Sequence, residues 1–436
     1  MHCQRSALVL FVVVLACWGS SFVGAHNGLL TQQQQQHHEP SSYLAKGEAD
    51  DDGTYLLEMV KRHWPHLPPH RQLGLSQILY LKHLYELQTP SPLFESTHGK
   101  RAGEDCPFAP SPIEDPPTSV HRLHPSDFRV VMAMGDSITA GFGAKAKTVF
   151  GILTEYRGVS WSIGGDSTLE SVTTVPNLFR KYDPLVKGFS VGTGDVEDFD
   201  NSRLNVAITG SVAADLDGQV DLLLERLGEI QGLDIQKDWK LLTLFIGGND
   251  LCASCEEPED YSADKFEAHI KEVLLRLKNS VPRLFVNLVL ALDVTNLHKA
   301  SQGFCSLLHL YECPCGVSDD VSVREATSAL SKEYNKRLEA LVLIPELNDK
   351  EDFTVVIQPF LSNTTIPVKE DGEADTSYLA PDCFHFSEKA HRAAAVGLWN
   401  NMMEPVGKKR NSWVPGEDVV CVSDKAFVQT RSNTNL

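Results

Sequence analysis

The chain has 436 residues, with 39 Lys and Arg against 58 Asp and Glu, giving a formal net charge of −19 at pH 7. No dense basic stripe offsets that excess, so nucleic acid is excluded as a partner and an anionic membrane surface would repel the protein. Any membrane contact is expected to be peripheral, through apolar loops or with zwitterionic and dispersed lipid, and no obligate protein partner is expected.

Residues 1–25, MHCQRSALVLFVVVLACWGSSFVGA, join a short basic start to an apolar run and small residues near Ala25. That is the pattern of a secretory signal peptide. A membrane anchor would need roughly 20 apolar residues, and Trp18-Gly19-Ser20-Ser21 interrupts the run. The C-terminal AFVQTRSNTNL is too polar for a lipid-anchor signal, so a soluble, secreted, extracellular protein is expected. Residues 26–53 hold a glutamine run with histidines and acidic residues, a polar linker that buries too little apolar surface to fold. Residues 54–105 read as a helical extension with a proline-rich break. CPFAPSPIEDPPTS then leads into the main domain, placed at 106–407, with 408–436 as a C-terminal tail.

Within the domain, FRVVMAM (128–134), RLNVAIT (203–209), KLLTLFI (240–246), LFVNLVLAL (284–292) and FTVVIQ (353–358) are short apolar runs rich in branched residues. Buried parallel strands have this composition. Amphipathic stretches at about 213–230, 262–281, 322–342 and 387–404 alternate with them. The expectation is an α/β fold with a five-stranded parallel sheet covered on both faces, its ligand site at the carboxyl ends of the strands.

That edge gathers the chemistry. Gly135-Asp136-Ser137 follows the first strand, Gly210 the second, and Gly247-Gly248-Asn249-Asp250 the third. Ser137 is the candidate nucleophile, and the Ser137 and Gly210 amides with the Asn249 side chain are candidate oxyanion donors. Asp382-Cys383-Phe384-His385 supplies a carboxylate and an imidazole three residues apart, so one loop can hold a base and the group that fixes its tautomer. Asp136 and Asp250 are expected to hold turns.

Residues 188–192, GFSVG, have the form of a nucleophile elbow, but no strand precedes Ser190 and no helix follows it, as such an elbow requires. Gly188 and Ser190 are read instead as part of a glycine-rich substrate wall, and Trp161 as a candidate wall of an acyl pocket. Beyond the signal, Cys106, Cys252, Cys255, Cys305, Cys313, Cys315, Cys383 and Cys421 form an even set that points to disulfides in an oxidising compartment. Cys252 and Cys255 have C-x-x-C spacing, for which a structural bridge is favoured over zinc or redox chemistry, and the connectivity stays open. Asn363-Thr364-Thr365 is a glycosylation acceptor.

The blocks GDS, N-x-A-x-x-G, GGND and D-x-x-H together resemble those of the GDSL or SGNH hydrolases, whose serine, glycine, asparagine and histidine correspond here to Ser137, Gly210, Asn249 and His385. PTSVHRLHPSDFRVV, RGVSWSIGGD and GFSVGTGD are similar to stretches of the phospholipase B-like lipases within that group, over about Cys106 to Val406. The resemblance implies a flavodoxin-like three-layer αβα sandwich, esterase action on glycerophospholipids and lysophospholipids, and no metal or organic cofactor. Some members carry tandem repeats and a membrane tail; this chain reads as one unit, and anchoring is not carried over. A carbohydrate or short-chain ester substrate remains a second reading, and a secreted lipid-binding protein with a relic site a third.

Overall fold

The computed structural model of the chain describes residues 102–110, 117–301 and 304–434. The signal, linker and most of the helical extension expected over 1–105 lie outside them. Strands β1 (Phe128–Gly135), β2 (Trp239–Phe245), β3 (Leu284–Val289) and β4 (Phe353–Gln358) form one parallel sheet in the order β1-β2-β3-β4.

Side chains alternate across the strands, and the two sets feed two cores. Val130, Met132 and Met134 of β1 join Leu242 and Leu244 of β2 and Val286 of β3 in one core. It is closed by apolar residues of Leu216–Leu227, Ala263–Ser280 and Val321–Leu341. Val131, Ala133, Leu241 and Phe285 face a second core, closed by Val175–Tyr182 and Glu388–Met403. Helices on both faces of a parallel sheet make the three-layer sandwich expected from the alternating pattern.

The expected strand at 203–209 is not a continuous fifth strand. Its inner side bonds β1, with Ala133 N to Leu204 O (3.0 Å), Val206 N to Ala133 O (3.0 Å) and Ile208 N to Gly135 O (3.2 Å). Its outer carbonyls are taken by one side chain. Arg157, fully buried, donates to Asn205 O (2.9 Å) and Ala207 O (3.0 Å), while its charge is met by Glu155 at 2.6 Å. The guanidinium thus ends the sheet, leaving 203–209 as an irregular edge beside β1 with β2 on the other side. From β1 the chain runs first to the 203–209 edge and then back across to β2, so the strand order reverses at β1, and ligand crevices form at the carboxyl ends of strands at such a point.

Among the described residues four disulfides are present: Cys106–Cys421, Cys252–Cys313, Cys255–Cys315 and Cys305–Cys383. Cys252 and Cys255 therefore do not pair with each other; both bridge to the Cys313–Cys315 segment. Residues 408–434, set apart above as a tail, pack on the domain. Val428 is buried and its N–H donates to Leu123 O (2.8 Å), Gln429 N donates to Met402 O (2.8 Å), and Cys421 carries the long bridge to Cys106.

Candidate active site

The turn after β1 is built on a glycine. Gly135 has φ +154°, and a Cβ there would stand 2.3 Å from Phe245 O, so no other residue fits without moving β2. Helix α1 (Ser137–Ala140) starts at once, with the Asp136 carboxylate accepting from Ile138 N at 3.0 Å as its N-cap. Ser137 therefore occupies the first helical position, where its own N–H has no intrahelical partner.

Opposite it lies the loop Asp382–His385. Asp382 is fully buried, and its Oδ1 accepts from Phe384 N and His385 N, both at 3.0 Å. Its Oδ2 lies 2.8 Å from His385 Nδ1. A carboxylate in this place only accepts, so Nδ1 carries the proton, leaving Nε2 as acceptor for the Ser137 hydroxyl at 2.8 Å. The ring packs between Phe142 and Phe384, with centroids 4.7 and 4.8 Å away. Burial alone would raise the Asp382 carboxyl, but its interaction with the His385 imidazole and the hydrogen bonds it accepts hold it below the usual carboxylate range.

Asn249 lies in helix α2 (Gly248–Ala253) beyond β2, and its Nδ2 donates to Ser211 O at 2.9 Å. An amide nitrogen has two hydrogens, so this bond fixes the group and leaves a second donor. Gly210, at φ +86°, directly precedes Ser211. Asp250 accepts Ala213 N with both oxygens (3.1 and 3.2 Å), and burial lifts its carboxyl to about 7 and that of Asp136 to about 6. Both hold turns, as the sequence suggested. The structure thus brings Ser137, Asp382, His385 and Asn249 to one edge of the sheet, with Gly210 on the adjoining loop.

A cavity of about 780 Å³, its mouth included, borders Ser137 and Asn249. Its walls include Ile138, Phe245, Leu292, Val294, Leu297, Ile366, Phe384, Phe386 and Trp413. The three residues chosen from sequence as substrate contacts are not among them. Trp161 is fully buried one layer behind, edge-on to Phe245 (5.8 Å) and Phe360 (5.7 Å). Ser190 is also fully buried, its hydroxyl donating to Arg157 O at 2.8 Å. Gly188 has φ +89° and abuts β1, where a Cβ would come within 2.4 Å of Val131 O. All three serve packing against the sheet. The wall residues they were meant to supply come from the loop after β3 and from Trp413, whose place in a polar tail gave no signal. Leu292, at the active end of an apolar run, could have been found by the strand-end rule.

Glu312, Asp382 and His385 each place a potential metal-ligating atom within 4.8 Å of the others. Asp382 and His385 are hydrogen-bonded to each other at 2.8 Å, which accounts for the closeness of those two.

Residues 131–398 match the family of GDSL-like lipases and acylhydrolases. The chain belongs to this family. The match covers β1 from Val131 onward, the serine turn, the Gly210 loop, Asn249 and the Asp–His loop. Among curated proteins, this GDSL family member is 42% identical over 363 residues to the human protein named phospholipase B1, membrane-associated, covering 81% of this chain and 25% of that one. To the mouse protein of the same name it is 39% identical over 346 residues, covering 76% and 23%. The chain thus spans about a quarter of the length of the curated relatives it matches. An extracellular lipase from Streptomyces rimosus aligns over 60% of this chain and 94% of its own at 16% identity, with a TM-score of 0.28.

One further group in this GDSL domain was not singled out in the sequence. Gln219, fully buried on helix α3 (Leu216–Leu227), accepts Gly135 N (2.9 Å) and donates to Gly135 O (2.8 Å) and Ser211 Oγ (3.1 Å). In sequence it reads as a polar-face residue of an amphipathic helix.

Proposed function

We propose that the protein is a secreted serine esterase that hydrolyses acyl esters of glycerophospholipids and lysophospholipids. The observation that carries this reading is the cavity bordering Ser137, whose predominantly apolar lining suits an acyl chain. The names of the curated relatives point to the same substrate class. Among the described residues no helix is long and apolar enough to cross a membrane, and lipid would be met at the cavity mouth.

In the proposed reaction His385 Nε2 takes the Ser137 proton as Oγ attacks the ester carbonyl. The Ser137 and Gly210 amides and the Asn249 side chain receive the oxyanion. His385 then returns the proton to the leaving alcohol, an acyl group stays on Ser137, and water activated by the same nitrogen releases the fatty acid. Asp382 holds the imidazole and supports its transient charge. Asn363 is exposed, and under this reading it is open to glycosylation during export.

The test is labelling with a serine-directed phosphonate, followed by peptide mapping. Label on the Ser137 peptide with loss of esterase activity is expected; label elsewhere, or activity in Ser137→Ala, contradicts the assignment.

A further inference from the structure

We infer that Gln219 is a positioning residue that sets the three oxyanion donors relative to one another. The inference rests on the reaction proposed above, and its basis is the bond pattern of one buried amide. Gln219 Oε1 accepts from Gly135 N at 2.9 Å, and Nε2 donates to Gly135 O at 2.8 Å. One side chain thus grips both polar groups of the glycine on which the Ser137 turn is built. The second Nε2 hydrogen goes to Ser211 Oγ at 3.1 Å, next to Gly210. Ser211 in turn uses its backbone carbonyl to hold Asn249 Nδ2 at 2.9 Å.

A primary amide has one acceptor oxygen and two N–H donors, and every one of these is committed here. The amide therefore joins the turn that presents the Ser137 N–H, the loop that presents the Gly210 N–H and, through Ser211, the Asn249 side chain. These donors come from the end of β1, the loop after the 203–209 edge and the end of β2, and long stretches of chain separate them. An oxyanion site works only when its donors are fixed before charge develops, and a misplacement of about 1 Å by a group away from the chemistry can cost roughly a hundredfold. Gln219 is not among the residues that line the cavity. Its effect passes through Gly135 and Ser211.

The experiment is a double-mutant cycle on the full chain with p-nitrophenyl butyrate, reading kcat and KM separately. Gln219→Met keeps length and apolar volume but removes all three bonds. The expected result is a fall in kcat of roughly ten- to a hundredfold with KM within about twofold. In an Asn249→Ala background the same substitution should cost a smaller factor than in wild type, because one of the three donors it places is already gone. A merely structural glutamine would lower kcat by the same factor in both backgrounds, and that result overturns the inference. An unchanged kcat in Gln219→Met overturns it too.

If Gln219→Met does not fold, Ser211→Ala enters the same cycle. It deletes only the Gln219–Ser211 bond and keeps the carbonyl that holds Asn249, and the same non-additivity is expected. Full turnover in Asn249→Ala alone would remove the reaction scheme and this inference with it. A large loss there beside an unaffected Gln219→Met removes the inference alone.

Discussion

Replacing Asp382 by Asn tests the proposed base most sharply, because the structure separates its folding role from its chemical one. Oδ1 accepts two backbone amides at 3.0 Å, and an Asn oxygen in the same place keeps both. The group that replaces Oδ2, 2.8 Å from His385 Nδ1, becomes an NH₂ donor. Two donors cannot face each other, so the imidazole must move its proton to Nε2, the atom now 2.8 Å from Ser137 Oγ. A protonated Nε2 cannot take the serine proton. In a serine triad this tautomer change lowers kcat by roughly ten-thousandfold, which corresponds to about 5 kcal/mol of barrier. Steady-state hydrolysis of a soluble p-nitrophenyl ester, with a thermal melt on the same sample, measures both sides. The account expects the large loss in kcat with a melting midpoint close to wild type; a folded Asp382→Asn enzyme within tenfold of wild type would refute it.

Ser190→Ala should keep kcat within about twofold and lose roughly 1 kcal/mol of stability, since the hydroxyl is buried on Arg157 O; a large kcat loss in a stable variant would contradict this. Asp250, lifted to about 7 by burial, holds a proton in the folded chain at pH values where an unfolded Asp, near 3.9, has lost it. This contribution is fully present below about pH 4 and is lost as pH rises through 7, so the unfolding free energy from urea titrations should fall across that range by an amount on the order of a few kcal/mol. Asp250→Asn should flatten the curve, and parallel curves would count against the assignment. Removing Cys106–Cys421 through Cys106→Ser and Cys421→Ser should cost on the order of 2–5 kcal/mol and expose residues 408–434 to proteolysis; an unchanged midpoint and digest would show that the packing of that segment does not depend on the bridge.

The sheet was legible because its strands are buried on both faces and therefore read as unbroken apolar runs, and the helices because their apolar periodicity is regular. The Ser137 and Asn249 placements followed from strand ends, and the Asp382–His385 pair from its three-residue spacing. The 203–209 segment is apolar enough for a strand, yet its outer bonds depend on Arg157, a cation some fifty residues away that reads as a surface residue. Cysteine pairing depends on where the chain brings the 252–255 and 313–315 segments, which spacing alone does not encode. Trp161 sits in a motif near the site and reads as a pocket wall, but Phe245 stands between it and the cavity. Trp413 and Gln219 lie in polar surroundings in the sequence, and only the folded chain turns one into the cavity and the other against Gly135 and the Gly210–Ser211 loop.

The central claim is that Ser137 carries acyl groups taken from phospholipid. Phosphatidylcholine with different acyl chains at its two positions, incubated with wild type and with Ser137→Ala, tests it most directly. Release of both fatty acids by wild type alone is the predicted result. Cleavage of a short ester without release of either fatty acid would contradict the phospholipid assignment, and fatty-acid release by Ser137→Ala would contradict the nucleophile.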